Sequence, residues 1–170
     1  MMSQKFFVIA HNIRSLYNVG SIFRTADAFG VDKIFLTGYT GTPKNPRLAK
    51  TALGAEKTVP WEYCKQLKRV FDRLGNTRGR LEQSLTGDKL RQQGMQIVAL
   101  ENNVPNVIPL NKFKPHFPLA LLLGEEVKGT KKDYLSLCDK IVEIPMQGQK
   151  ESLNVSVAFG IAAYSLTNKI

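Results

Sequence analysis

The chain has 170 residues, 43% of them hydrophobic, and carries 24 Lys and Arg against 14 Asp and Glu, a formal net charge of +10. That length suits one domain, the apolar content excludes wholesale disorder, and so large a basic surplus points to a polyanion, most simply nucleic acid, with a merely basic soluble domain as the even alternative on charge alone. Two cysteines, Cys64 and Cys138, lie far from each other and from His11 and His116, which argues against a zinc site or a disulfide scaffold and reads the thiols as core residues of a reducing compartment.

In chain order, the N-terminus has an apolar run of only five residues, so Lys5–Ala10 reads as a buried strand and not as a signal peptide. Asn18–Phe29 places Val19, Ile22, Phe23, Ala26 and Phe29 at helical spacing, and Gly30 ends the helix. Asp32–Thr37 is a second strand, and this order with short loops predicts a parallel sheet. Gly38–Pro46 is a Gly- and Pro-bearing loop. Leu48–Thr58 is a short helix. A longer helix starts at Pro60-Trp61 and runs to about Leu74, with Leu67, Val70, Phe71 and Leu74 on one face and Lys65, Lys68, Arg69 and Arg73 on the other. Gly75–Arg80 is a basic loop, and Leu81–Gln93 a further helical segment.

The remaining elements are strands at Gln96–Leu100, Leu119–Leu123 and Ile141–Ile144, then a helix over Leu153–Leu166. The run LALLL is apolar throughout, as in a parallel strand buried on both faces. The last helix is apolar almost all round and is expected to be buried. No segment approaches the ~20 apolar residues of a membrane span, so a soluble, cytoplasmic protein is expected.

The charge is uneven. Between Lys44 and Arg80 ten basic residues face only Glu56, Glu62 and Asp72, a surplus of seven out of the total of ten. Solvated faces normally mix signs, so this stretch reads as a polyanion-binding surface. Lys68, Arg69, Arg73, Arg78 and Arg80 are its candidate polyanion contacts.

Familiar nucleotide motifs fail. The turn after the first strand has one glycine, so no dinucleotide fingerprint is present. Gly124–Lys131 spaces its glycines like a P-loop but has Thr130 where Lys is required, and Glu125 and Glu126 would repel phosphates.

Three polar clusters end apolar segments. In Asn18–Arg24, the amide could be a helix cap and Arg24 sits near the apolar positions. The loop Gly124–Gly129 follows a buried parallel strand, where α/β proteins hold ligands, and its carboxylates suit a cationic ligand or an amine as readily as an ordinary tight turn with a solvated Glu pair. In Ile144–Ser156, Ser152 reads as a helix cap, and Asn154 needs partners from the loop or from a ligand.

Together these clusters resemble the SpoU family of RNA ribose methyltransferases, within the SPOUT superfamily. Asn18 and Arg24 match an Asn-x5-Arg motif; Gly124, Glu126 and Gly129 match Gly-x-Glu-x-x-Gly; Ile144, Pro145, Met146, Gly148, Ser152, Asn154 and Ser156 match the third motif. The resemblance spans about residues 5 to 166. It implies an α/β domain, a parallel sheet flanked by helices with a C-terminal deep trefoil knot; in departure from parts of that family, one catalytic domain over 1–170 with no separate RNA-binding domain is expected. It also implies a homodimer with the active site at the subunit interface, and S-adenosylmethionine as cofactor, with no metal and no membrane. Leu123, Gly124, Ile144, Met146, Gly148 and Leu153 would hold the cofactor. The reaction would methylate a ribose 2′-hydroxyl of tRNA or rRNA. The alternative is a non-catalytic RNA-binding or assembly factor with the same fold. Arg24 would be the central catalytic residue, oriented with the substrate by Asn18, Glu126, Ser152 and Asn154. It either takes the hydroxyl proton itself, or positions a phosphate and stabilises the alkoxide while another acceptor takes the proton.

Overall fold

A computed structural model describes residues 4–75 and 94–168. They form a seven-stranded sheet in the order β3-β2-β1-β6-β4-β7-β5, with every pair parallel. The strands are β1 (Phe6–His11), β2 (Lys33–Thr37), β3 (Trp61–Cys64), β4 (Gln96–Leu100), β5 (Ile108–Pro109), β6 (Leu119–Leu123) and β7 (Lys140–Glu143). The helices are α1 (Leu16–Ala28), α2 (Ala49–Ala52), α3 (Ala55–Thr58), α4 (Leu67–Leu74), α5 (Lys132–Leu135) and α6 (Val155–Thr167).

The apolar strands are buried on both faces, and their alternation divides the core. Leu119, Leu121 and Leu123 of β6 join Phe6, Val8 and Ala10 of β1 on one face. There Val19, Ile22, Phe23 and Ala26 of α1 and Phe159, Ala162, Ala163 and Leu166 of α6 cover them. Ala120 and Leu122 point the other way with Phe7 and Ile9, beneath Leu67, Val70, Phe71 and Leu74 of α4. A period of two in the strands and helices on both sides account for this layering.

Several expectations change. The helix expected from Pro60-Trp61 begins only at Leu67; Trp61–Cys64 is instead an edge strand paired with β2 from Ile34↔Trp61 to Thr37↔Cys64. Aromatic Trp61 and Tyr63 favour extended backbone, and β2 needs a partner for its outer edge. The helix expected over Leu48–Thr58 is split into α2 and α3 by two left-handed residues, Leu53 (φ 51°) and Gly54 (φ 98°). The cap of α1 is Ser15, not Asn18, and its side chain accepts from the Asn18 N–H. The cap of α6 is Asn154, not Ser152. Nor is α6 buried all round: Val157, Ile161 and Tyr164 are exposed. Cys138 is buried, its thiol pushed up to about 12 chiefly by burial, whereas Cys64 is only half-buried on the edge strand. The expected helix over Leu81–Gln93 lies outside the described residues.

Among the described residues no helix is long and apolar enough to cross a membrane. None of their His, Cys, Asp and Glu side chains gather into a group of three or more able to hold a metal ion.

Candidate active site

The site lies at the carboxyl ends of β4, β6 and β7, where the chain leaves the sheet. Three segments meet there: residues 100–103 after β4, residues 123–129 after β6, and residues 144–155 leading into α6. They enclose a cavity of about 290 Å³. Parallel α/β sheets place ligands at this edge because the loops there diverge and leave backbone groups unpaired.

The loop after β6 is held by close approaches. A Cβ on Gly124 would lie 2.3 Å from Thr130 Oγ1 and 2.8 Å from Thr130 N, so no larger residue fits without displacing the loop. Gly129 has φ of +63° and donates its N–H to Glu125 O at 2.9 Å, closing a tight turn. Thr130 donates its backbone N–H to Glu101 Oε2 at 2.7 Å, tying the loop to the end of β4. Its buried Oγ1 has no hydrogen-bond partner among the described residues.

Glu126 points from this loop to the start of α1. Its carboxylate accepts from Arg14 N (3.1 Å), Ser15 N (3.2 Å) and Asn18 Nδ2 (3.1 Å). Burial pushes its pKa up, but the hydrogen bonds from the Arg14 N–H, its own backbone, Asn18 and the Ser15 N–H outweigh that, and the net shift is downward. The carboxylate also faces a helix N-terminus, where negative charge is favoured.

Asn18 passes the contact on. An ionised carboxylate only accepts, so Asn18 must present its NH₂ to Glu126 and its oxygen elsewhere. That oxygen accepts from Asn154 Nδ2 at 3.0 Å, and Asn154 Oδ1 in turn accepts from Ser156 N at 2.9 Å. The three sequence clusters thus form one directional chain: Ser156 to Asn154 to Asn18 to Glu126.

Of the residues expected to hold a cofactor, Leu123, Gly124, Ile144, Met146 and Leu153 line the cavity, together with Ser152 and Glu126. Gly148 is exposed and does not line it. Arg24 does not line it either. Its neighbours Ile22, Phe23 and Ala26 are buried in the core, while Arg24 itself is exposed on α1, six residues from Asn18 or about 9 Å along the helix. Among the described residues it has no hydrogen bond or ion pair.

The basic helix α4 covers the sheet face opposite α1. Lys68 and Arg69 are exposed on it, while Arg73 is ion-paired with Glu62, which also accepts from Lys33 Nζ at 3.3 Å. Arg78 and Arg80 lie outside the described residues.

Sequence reasoning missed Glu101 and Asn102. Asn102 Nδ2 donates to Ile144 O at 3.1 Å and to Glu151 O at 3.4 Å, fastening the segment before α6 across the cavity mouth. Their available signal was position: both directly follow a buried strand at the ligand-binding edge, as Gly124 does. With them, the cavity wall carries Glu101, Glu125, Glu126 and Glu151 against Lys128 alone, in a chain of net charge +10.

The profile of the SpoU rRNA Methylase family matches residues 5–164. The chain is 31% identical over 157 residues to the 23S rRNA (guanosine-2'-O-)-methyltransferase RlmB of Nitrosomonas europaea, covering 92% of this chain and 54% of that protein. Its fold superposes with a TM-score of 0.82 on the SpoU methyltransferase AviRb from Streptomyces viridochromogenes in complex with the cofactor AdoMet, at 23% identity, over 99% of this chain and 59% of that one. The TrmH/SpoU tRNA modifying enzyme of A. aeolicus gives a TM-score of 0.78 at 25% identity, over 98% of this chain and 76% of that one. The chain spans under three-fifths of the length of the curated relatives it matches.

Proposed function

Because the chain belongs to the SpoU rRNA methylase family, we propose that it transfers the methyl group of S-adenosylmethionine to a ribose 2′-hydroxyl of tRNA or rRNA. The observation that carries this reading is the sign of the cavity. A basic chain with an acid-lined cavity separates two ligands: a cation inside and a polyanion outside. Phosphates are repelled from the Glu125–Glu126 loop, whereas a sulfonium and an ammonium are favoured there.

The donor set fits that cofactor. Leu100, Leu123, Ile144, Met146, Leu153 and Ala158 offer apolar walls, and Glu101, Asn102 and Ser152 offer polar groups for hydroxyls or an amine. When bound, S-adenosylmethionine supplies an electrophilic methyl group. The chain's own task is then alignment and proton handling, and alignment alone contributes up to ~7–11 kcal/mol in good cases. Asn18 and Asn154 hold the start of α1 and the start of α6 in one register beside the cavity. Arg24, exposed and unpaired among the described residues, is free to meet a substrate phosphate and to stabilise the developing alkoxide.

Arg24 lies outside its own chain's cavity, which supports a homodimer in which the cofactor of one subunit faces α1 of the other. The apolar exposed positions Val157, Ile161 and Tyr164 on α6 support the same assembly. A C-terminal trefoil knot is the proposed path of residues 119–167, supported by the fastening of 144–151 to Asn102. A cytoplasmic setting accords with an RNA substrate.

The test is transfer of labelled methyl from S-adenosylmethionine to RNA isolated from a strain lacking this gene, followed by mapping of the methylated ribose. Label at a 2′-oxygen is expected. Absence of label from both tRNA and rRNA would favour a binding or assembly factor instead.

A further inference from the structure

A second concavity lies beside the start of α1, a shallow groove lined by Leu16, Tyr39, Gly41, Lys44, Pro46 and Tyr63. Two of these are aromatic and open: Tyr39 is 50% exposed and Tyr63 44%. Their exposure does not come from a loose loop. Tyr63 donates its hydroxyl to Gly38 O at 2.6 Å, and Tyr39 donates its N–H to Asn12 Oδ1 at 3.2 Å. Gly38, at φ +67°, packs so closely on Asn12 that a Cβ would lie 1.8 Å from its Oδ1. Thr40 Oγ1 donates to Ala10 O at 3.0 Å and accepts from Ile13 N at 3.0 Å. The Tyr63 phenol and the Tyr39 backbone are therefore anchored while about half of each residue faces water.

The surroundings are cationic. Lys44, Arg47 and Lys65 are exposed nearby, the loop Gly38–Pro46 has no acidic residue, and the Arg14 guanidinium lies 5.9 Å from the Tyr39 ring centroid. Arg14 also connects this groove to the acid-lined cavity: its backbone N–H bonds Glu126, and its guanidinium lies 3.7 Å from Glu125. Anchored aromatic faces beside cations are how proteins hold unstacked bases of single-stranded nucleic acid.

We infer that one unstacked base of the substrate RNA, near the methylated nucleotide, stacks on Tyr39 and Tyr63 in this groove, with its phosphate on Arg14 and Lys44. The inference rests on the methyltransferase reading and adds a base-holding subsite to it. The groove is then a positioning device, and its loss shows in RNA binding and not in cofactor binding.

The test uses the full chain with RNA from a strain lacking this gene, and with the same RNA transcribed with 4-thiouridine. Tyr39→Ala and Tyr63→Ala should each weaken RNA binding by about 5- to 150-fold and raise KM for RNA, leaving the KM for S-adenosylmethionine within about 2-fold. Tyr39→Phe keeps the ring and should remain near wild type. Irradiation of the wild-type complex should crosslink RNA to the peptides bearing Tyr39 or Tyr63, a readout independent of variant folding. Wild-type affinity in both alanine variants overturns the inference, as does an equal loss in Tyr39→Phe. RNA that is methylated but crosslinks only elsewhere overturns this subsite and leaves the methyl transfer standing. A wild-type chain that neither binds nor methylates RNA overturns both.

Discussion

The side-chain amide of Asn154 donates to the side-chain oxygen of Asn18 at 3.0 Å, joining the first turn of α1 to the cap of α6 across 136 positions of sequence. The direction of this bond is imposed from a distance. Glu126 accepts only, so it fixes the orientation of Asn18, and Asn18 fixes that of Asn154. Asn154 also caps its own helix through Ser156 N. Capping and relay are therefore separable by substitution. Asn154→Asp still accepts from Ser156 but cannot donate to Asn18. It should unfold in urea within about 1 kcal/mol of wild type, yet lose at least ~10-fold in methyl transfer. Asn154→Ala should lose about 1 kcal/mol of stability as well. An Asp variant with undiminished turnover would restrict the amide to capping.

Glu126 gives the relay a pH limit. Its folded-state pKa is depressed below the usual 4.5, so its contribution to stability is complete above the unfolded value and fades as pH falls through the folded one. Denaturation of wild type and Glu126→Gln at pH 7 and near pH 3 measures this. The wild-type advantage should be present at pH 7 and shrink at the acid end; a pH-independent difference would assign the effect to packing.

Arg24 has the opposite profile: exposed, unpaired among the described residues, and six residues along α1 from the relay. Arg24→Ala should leave stability within about 0.5 kcal/mol and leave cofactor affinity, measured by calorimetry, unchanged. Methyl transfer should fall by at least ~100-fold. Near-normal turnover would remove Arg24 from the chemistry.

Among the described residues, the basic surface of α4 divides into cations that hold no ion pair and one that does. Lys68 and Arg69 are exposed, whereas Arg73 already serves Glu62. The double variant Lys68→Ala/Arg69→Ala should weaken RNA binding. It should also reduce the slope of log affinity against log salt by up to about 0.7–0.9 for each phosphate that the replaced side chains neutralise. Arg73→Ala should change the slope less. Equal slopes in wild type and the double variant would take α4 out of the RNA interface.

Legibility in the sequence follows how local the determining contacts are. The run LALLL, short and apolar throughout, reads as a strand buried on both faces, and β6 sits in the middle of the sheet. The spacing of Val19, Ile22, Phe23 and Ala26 identifies the buried face of α1, and that of Leu67, Val70, Phe71 and Leu74 the buried face of α4. Trp61–Cys64 escapes such a reading because its strand state comes from β2, 27 residues earlier, while its neighbours suit a helix in either case. At the start of α6, Ser152 and Asn154 are both good caps, and only the reach to Asn18 distinguishes them. Glu101 and Asn102 are not visible because their partners, Thr130, Ile144 and Glu151, lie 29 to 49 positions away.

The wall of the acid-lined cavity has a thermodynamic consequence. Its three segments, around residues 101, 126 and 152, are joined by a few side-chain hydrogen bonds, from Glu101, Asn102 and the Glu126–Asn18–Asn154 relay. A ligand that touches all three acts as a removable crosslink. By mass action, a ligand at 100 times its Kd stabilises the folded chain by about 2.7 kcal/mol. With the proposed S-adenosylmethionine as that ligand, resistance of residues 124–154 to proteolysis should rise with its concentration.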